Sequence, residues 1–305
     1  MIVITGQTAT GKTKLALELA EKYNGELVNF DSRQIYKYLD IITGKDLPST
    51  SEVKDPPAGG GKTSEVIKFK GVWLYDVVTP DQYFSSYDFV EKLKPVIEDL
   101  KKRGKTPILV GGTYLYLKHF LYGIDINNSP PNFKLREKLN TMSVVDLQKK
   151  LISLTPNVFE NMNHSDQLNP RRLIRKIEIA SSTSAVKDPP AGGGKTAEVN
   201  KDWPIKLFIG LRYQDKSKLR QIIIKRVEER LKNGAIDEVK NILKMGYKVS
   251  DPGLKTIGYT QIIKYLKKEF TKEKAIEDWI NKEVQYAKRQ LTFMKKDKNI
   301  SWKDI

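Results

Sequence analysis

The sequence predicts an α/β protein: a parallel sheet core flanked by helices, with a small helical subdomain inserted in it and a mainly helical C-terminal region. Three observations predict it. The opening stretch, MIVITGQTATGKTKLALELAEKY, passes from a short apolar run through a glycine-bounded loop into helical spacing. Two more short apolar runs, Leu27 to Phe30 and Ile108 to Val110, alternate with helical patterns. Such alternation gives parallel strands with ligands at their carboxyl ends. From Ser129 to Ser181 the strand pattern lapses into short polar helical segments.

The first element is the most specific. Ile2 to Ile4 read as a buried strand, and Leu15, Ala16, Leu19 and Ala20 as the apolar face of the next helix. Between them stand Gly6, Gln7, Thr8, Ala9, Thr10, Gly11, Lys12 and Thr13, which satisfy G-x-x-x-x-G-K-[ST] in the strand–loop–helix order that a P-loop requires. Glycines let successive N–H groups turn inward around phosphate oxygens, and the helix amino end adds positive dipole. Lys12 supplies a mobile charge, and the Thr13 hydroxyl can ligate magnesium (Mg2+). Residues 6–13 are therefore expected to bind a di- or triphosphate, with Thr13 as the metal ligand.

A second glycine-rich signal is a decoy. Residues 49–66, STSEVKDPPAGGGKTSEV, and 182–199, STSAVKDPPAGGGKTAEV, agree at 16 of 18 positions. Each ends in GGGKT, but Pro56 and Pro189 stand where the motif needs its opening glycine. Lys-Asp-Pro-Pro is turn or extended material, and neither copy leads into a helical period. Both read as polar inserts in surface loops.

The remaining elements follow in order. Leu27 to Phe30 is a second strand ending at Asp31-Ser32; VIKFKGVWLYDVV alternates and breaks at Lys-Gly, as in a hairpin. Ser86 to Arg103 has helical period through Phe89, Val90, Leu93, Val96, Ile97 and Leu100. TPILVGGTYLYLKHFL is a third buried strand running through Gly111-Gly112 into a helix. Ile205 to Gly210 is a returning strand, and Lys216 to Trp302 is mainly helix. The expected organisation is a P-loop core over 1–128, an inserted helical subdomain over 129–181, a repeat insert over 182–200, and core completion with a basic helical region over 201–305.

Composition narrows the function. The chain has 305 residues, no cysteine and two histidines, His119 and His164, which excludes disulfides and a Cys/His zinc site. No apolar run reaches the 18 or so residues that span a bilayer. The chain opens on an apolar strand without the basic stretch of a signal peptide. It is expected to be a cytoplasmic monomer. The formal net charge is +17, and residues 201–305 hold 26 Lys and Arg against 14 Asp and Glu. A basic face of this kind suits nucleic acid.

Three strand ends converge on one crevice: the P-loop, Asp31-Ser32-Arg33-Gln34, and Gly111-Gly112-Thr113. Asp31 and Thr113 each also suit a helix cap, although Gly-Gly before Thr113 lets backbone approach a ligand closely. Arg171 and Arg175 lie four apart, as on a solvated helix face or a phosphate-binding one. The strand Ile108 to Val110 ends in Gly-Gly-Thr, without the aspartate that helps hold magnesium in P-loop ATPases. A phosphate cradle plus a separate carboxylate suggests that the phosphate group leaves and is not passed to an acceptor.

Six motifs in order, GQTATGKT, DSRQIYKYLDI, ILVGGTYLYLKHFLYGI, NPRRLIRKIEIA, KTIGYTQI and YAKRQLTFMKK, resemble those of the tRNA dimethylallyltransferases. The resemblance covers most of the chain outside the two repeats. It implies transfer of a dimethylallyl group from dimethylallyl pyrophosphate to the exocyclic amine of the adenine after the anticodon. It implies Asp31 as base, Thr113 as its orienting partner, and Lys12 and Mg2+ on the pyrophosphate. Arg172 or its neighbours 171–175, with Arg136, would bind pyrophosphate or RNA. The tRNA-contacting segments it implies are Asp31, Ser32, Arg33, Gln34 and Thr113; Arg171, Arg172, Leu173, Ile174 and Arg175; Lys255, Thr256, Ile257, Gly258, Tyr259 and Thr260; and Lys288, Arg289, Gln290 and Lys295. The partner implied is a tRNA anticodon stem-loop.

The chain departs from the family at Gln7, where proline is usual, at Ile42-Thr-Gly-Lys45, in GVWLYD, and at Phe293, where tryptophan is usual. None of these removes a charged or catalytic group. The competing readings are the same transfer onto free AMP or ATP, a P-loop small-molecule kinase, and a non-catalytic RNA-binding module. The basic C-terminal third speaks for RNA over a free nucleotide, and intact Lys12, Thr13 and Asp31 speak against a vestigial loop.

Overall fold

The computed structural model describes residues 1–45, 68–69, 71–123, 131–182 and 203–305. Residues 124–130, the first repeat, and residues 183–199 of the second repeat fall outside the described residues; the expected boundary at 181/182 falls within them, at the end of a helix. The chain divides into two compact units, Met1–Leu121 with Asn200–Ile305, and Tyr122–Val199.

The first unit is built on a seven-stranded sheet of order β3-β4-β2-β5-β1-β6-β7. Its strands are β1 (Ile2–Gly6), β2 (Gly25–Asn29), β3 (Lys68–Phe69), β4 (Val72–Trp73), β5 (Thr106–Val110), β6 (Leu207–Arg212) and β7 (Ser301–Asp304). All neighbours are parallel except β3 and β4, the predicted hairpin. In register, Ile4 of β1 lies beside Val110 of β5 and Ile209 of β6. The central strands β1 and β5 are almost wholly buried and mostly apolar, as parallel strands inside a sheet are.

Helices α1 (Lys12–Lys22), α2 (Ser86–Lys102) and α3 (Tyr114–Tyr122) follow β1, β4 and β5. The start of α2 is set locally: Ser85 and Asp88 form a capping box, and the six apolar residues read as its inner face are all buried. Ile2, Ile4, Ala16, Leu27, Val72, Tyr75, Ile108 and Val110 make one core cluster. After β6 come α9 (Lys216–Lys232), α10 (Ala235–Lys244), α11 (Tyr259–Leu266) and α12 (Lys272–Met294), which bury a second, larger core around Trp279 and Tyr259. The helical reading of 216–302 is corrected at its end, where Ser301 and Trp302 belong to β7. Four residues are too few to show a period, and it is pairing with β6 that makes them a strand.

The second unit holds α4 (Phe133–Leu139), α5 (Val144–Leu154), α6 (Pro156–Glu160), α7 (His164–Gln167) and α8 (Pro170–Ser182). Leu139, Leu147, Leu151, Leu173, Ile174 and Ile177 form its core.

Candidate active site

The carboxyl ends of β1, β2 and β5 open into a cavity of about 370 Å³. Its wall takes in Thr8 to Thr13 of the P-loop, Asp31, Arg33 and Gln34 beyond β2, Gly111 beyond β5, and residues of α9 and α12. Side chains read from three separate motifs therefore meet at one place.

The P-loop turns by left-handed backbone. Gly6 has φ 139, and a Cβ there would stand 2.1 Å from the Leu211 carbonyl oxygen, so only glycine fits against β6. Ala9 and Gly11 follow with φ 64 and 77. Helix α1 begins at Lys12 with no side-chain cap, which leaves its first-turn N–H groups for an anion. Lys12 Nζ donates to the Gln7 carbonyl at 2.6 Å. Burial lowers its pKa from 10.5 to about 8, with Asp31 opposing the shift and Arg226 adding to it. A lysine held so, against a carbonyl and near another cation, gains strongly from an incoming anion.

The carboxylate faces this cradle from the next strand. Asn29 Oδ1 accepts from the Asp31 N–H at 2.8 Å, and Asp31 Oδ1 accepts from the Arg33 N–H at 3.0 Å. These local bonds hold the carboxylate in an Asx-type turn. The Gly111-Gly112 pair makes the approach possible: a Cβ on Gly111 would lie 2.9 Å from the Asp31 nitrogen, and one on Gly112 only 3.2 Å from Asp31 Oδ2. Thr113 Oγ1 accepts from the Ser32 N–H at 2.9 Å and lies 3.0 Å from the Ser32 hydroxyl.

Charges missed in the sequence complete the wall. Arg226 donates to the Thr8 hydroxyl at 3.0 Å, and Lys225 and Arg230 line the same cavity. Arg33 pairs with Glu283 at 2.9 Å and lies 3.8 Å from the centre of the Tyr286 ring. Burial opposes the Arg33 charge, but Glu283, Tyr286 and Asp31 outweigh it and raise the pKa. Burial likewise opposes the Glu283 carboxylate, and Arg33, Arg230 and Arg226 hold its pKa below the usual range. Burial and then Asp31 push the Tyr286 hydroxyl up, while it shares a hydrogen bond with Thr113. A signal for these groups did exist. Arg230 completes the buried stripe Leu219, Ile223, Val227 of α9, and Glu283 lies in the buried stripe of α12, where a charge has no place unless paired.

The donors fit magnesium carried on a diphosphate. Among the groups that line the cavity, the Thr13 hydroxyl at the start of α1 and the Asp31 carboxylate are the ones placed for an ion on the cradle, with Glu229 of α9 a second carboxylate in the wall. No group of three or more acidic or histidine side chains that could hold an ion alone occurs among the described residues. Magnesium commonly takes one or two carboxylates and fills the rest from phosphate and water.

A family model described as IPP transferase matches residues 34–297. The chain belongs to this family. A tRNA dimethylallyltransferase of Thermoanaerobacter sp. (strain X514) is 34% identical over 308 residues, 99% of this chain and 90% of that protein. The enzyme of the same name from Clostridioides difficile (strain 630) is 34% identical over 100% of this chain and 91% of its own. Among solved structures, the full-length tRNA isopentenylpyrophosphate transferase of Bacillus halodurans has a TM-score of 0.65 at 29% identity, covering 99% of this chain and 89% of that one. A eukaryotic dimethylallyltransferase acting on tRNA has a TM-score of 0.73, covering 100% of this chain and 73% of that one; at 24% identity the likeness is one of fold. The alignments with the two bacterial relatives span almost the whole chain, P-loop included, although the family model begins just after Arg33.

The structure places several of the expected contact residues away from the open cavity. Gln7 turns away from the cavity: its N–H donates to Leu211 and its side chain bonds Tyr213 and Ala287, so it braces the loop and offers a phosphate no donor. Thr113 orients Ser32 directly, and not Asp31. Gln290 is buried with both amide ends bonded inside the protein. Leu173, Ile174 and Tyr259 are core side chains; the first two fill the centre of the helical unit, and the Tyr259 hydroxyl donates to Glu238. Their burial follows from helical spacing, which places apolar residues inward whatever flanks them. Gly258 has φ 97 and packs against Ile42 and Trp279, which admits no side chain.

The polar remainder lies on surfaces. Lys255, Lys288, Arg289 and Lys295 are exposed, and Thr256, Ile257 and Thr260 are half-buried. In the helical unit Arg171 is exposed, Arg172 pairs with Asp166, and Arg136 and Arg175 both pair with buried Glu178. Arg172 is not in the cavity wall, all of which comes from the first unit. Gln34 donates to the carbonyls of Thr43 and Gly44, closing the loop that leads to Lys45. No helix among the described residues is long and apolar enough to cross a membrane.

Proposed function

We propose that this chain transfers a dimethylallyl group from dimethylallyl pyrophosphate to the exocyclic amine of the adenine 3′-adjacent to a tRNA anticodon. The observation that carries the reading is that Asp31 and the Lys12 cradle share one cavity, with no aspartate at the end of β5 to serve a hydrolytic or kinase centre. The family and its relatives' names point the same way.

The diphosphate would lie against the N–H groups at the start of α1, with Lys12, Arg226 and Lys225 around it. Asp31 accepts a proton from the adenine amine as its nitrogen attacks the allylic carbon. The new C–N bond forms as the C–O bond to the diphosphate breaks, and the diphosphate leaves with the bonding pair. Fixed positive groups aimed at that developing charge lower the barrier. Magnesium, when bound through Thr13 and the diphosphate, supplies further charge neutralisation there. The walls of Ala9, Val110, Ile222 and Tyr286 give the prenyl chain a sheltered place, which keeps water from the allylic carbon. The adenine must leave its stack to reach Asp31, a cost of about a few kcal/mol that falls in a strained loop. The acceptor we propose is an anticodon stem-loop, the exposed lysines and arginine of α12 its contacts, and the working species a cytoplasmic monomer.

The test is incubation with dimethylallyl pyrophosphate and magnesium, with unmodified tRNA, AMP or ATP as acceptor, followed by nucleoside mass spectrometry. Prenylated adenosine is expected from tRNA alone. Asp31→Asn is expected to lower turnover by about 10²–10⁴-fold, the usual contribution of a general base, while pyrophosphate binding persists. Product from AMP but not tRNA would replace the proposed acceptor, and phosphorylated product from ATP would overturn the reaction class.

A further inference from the structure

Helix α12 runs along the back of the P-loop and touches it on consecutive turns. The Ala287 carbonyl accepts from Gln7 Nε2 at 3.4 Å, and Met294 Sδ accepts from the Thr5 hydroxyl at 3.0 Å. Between them stands Gln290, only 6% exposed. Its Oε1 accepts from the Thr8 N–H at 2.9 Å, and its Nε2 donates to the Gly112 carbonyl at 3.0 Å. One side-chain amide thus joins the phosphate loop after β1 to the Gly-Gly turn after β5. That turn also lies close against the carboxylate, since a Cβ on Gly112 would stand 2.3 Å from Gln290 Nε2 and 3.2 Å from Asp31 Oδ2.

We infer that Gln290 is a positioning residue, setting the distance and angle between the diphosphate cradle and Asp31; this rests on the transferase reading above. The two loops are not otherwise neighbours in sequence, being some hundred residues apart, and the chemistry needs them in one register. The leaving oxygen is held at one loop while the proton is taken at the other. An amide fits the place because it is at once donor and acceptor on a short planar group, and it carries no charge to compete with the diphosphate. With both ends engaged, Gln290 acts on the reaction through the loops, and the Thr8 N–H is tied to the protein and not to phosphate. The phosphate donors begin further along, at the first turn of α1.

The inference separates binding from turnover. Gln290→Met keeps the volume and removes both bonds. Inorganic pyrophosphate affinity and the KM for dimethylallyl pyrophosphate should stay near wild type, because the α1 donors are untouched. The kcat for prenyl transfer to tRNA should fall by about 10²-fold, the cost expected of a misplacement near 1 Å. Gln290→Glu keeps the shape and the acceptor for the Thr8 N–H but loses the donor to the Gly112 carbonyl; it should also lower kcat with KM little changed, which keeps the test open if Gln290→Met folds poorly. A merely structural role would lower thermal stability and leave the kcat of the folded enzyme intact. Wild-type kcat in both folded Gln290 variants would overturn the inference alone. Absence of prenylated product from the wild-type enzyme in the same assay would overturn the transferase reading and the inference with it.

Discussion

Lys12 and Lys45 are two lysines drawn inward within one half-sheet, and they differ in what answers their charge. Lys45 is fully buried, with its ammonium on Asp40, Asp76 and the Tyr36 carbonyl. The protein itself supplies its counter-charge, and the group ties the loop after β2 to the segment after β4. Lys12 donates to a single carbonyl, with the Asp31 carboxylate across the cavity favouring its charge and Arg226 opposing it. Its charge is answered from outside. A lysine satisfied by protein carboxylates holds the fold, whereas one held against a carbonyl at a helix start is set for a ligand's anion.

Exchanging each lysine in turn should give opposite phenotypes. The largest effect is expected from Lys12→Met, which removes a preorganised charge worth about 10²–10³-fold in turnover. It should also weaken pyrophosphate binding, while the melting temperature stays level or rises. Calorimetry with pyrophosphate, beside single-turnover prenyl transfer, measures both. If Lys12→Met destabilised the protein and bound pyrophosphate normally, the contrast between the two lysines would collapse.

Lys45→Met should do the reverse. Removing one partner of a buried ion pair typically costs about 3–5 kcal/mol, read here as a lower denaturation midpoint, with pyrophosphate affinity of the folded protein retained. Lys45→Met combined with Asp76→Leu should recover part of the loss, because the stranded carboxylate goes with its partner.

A smaller effect follows from titration. The folded protein holds the Lys12 proton less tightly than the unfolded chain, at about 8 against 10.5. Below pH 8 both states are charged and the burial cost is complete. Between about 8 and 10.5 the folded state has released its proton and the unfolded state has not, so this contribution to stability rises with pH. Lys12→Met should flatten that rise in urea midpoints taken across the window. A bound diphosphate favours protonated Lys12, so above pH 8 binding should take up protons and weaken with pH. Calorimetry in buffers of different ionisation enthalpy would detect that uptake.

The smallest effect concerns the other GKT lysines. Lys62→Ala and Lys195→Ala, in the repeats, should leave pyrophosphate affinity and transfer at wild-type levels. Loss of either in one of these variants would mean a second phosphate site.

Much of the site was legible because its signals are local. Eight consecutive residues carry the P-loop, and their meaning depends only on the strand before and the helix after. Asp31 and Gly111-Gly112 could be read as strand ends, and parallel strands bring their carboxyl ends together. The helices of the second unit showed in their apolar spacing, and the same spacing marks Leu173 and Ile174 as core side chains.

What the sequence alone determined, then, is the strand–loop–helix cradle, the carboxylate beside it and the order of elements, because each depends on residues within a turn or two of one another. Only the tertiary structure decided which distant side chains close the cavity. Arg226, Tyr286 and Gln290 lie about two hundred residues or more from the P-loop whose cavity they line, on helices whose patterns mark a buried face but not what that face meets. Spacing along a helix gives direction, and only packing gives the partner.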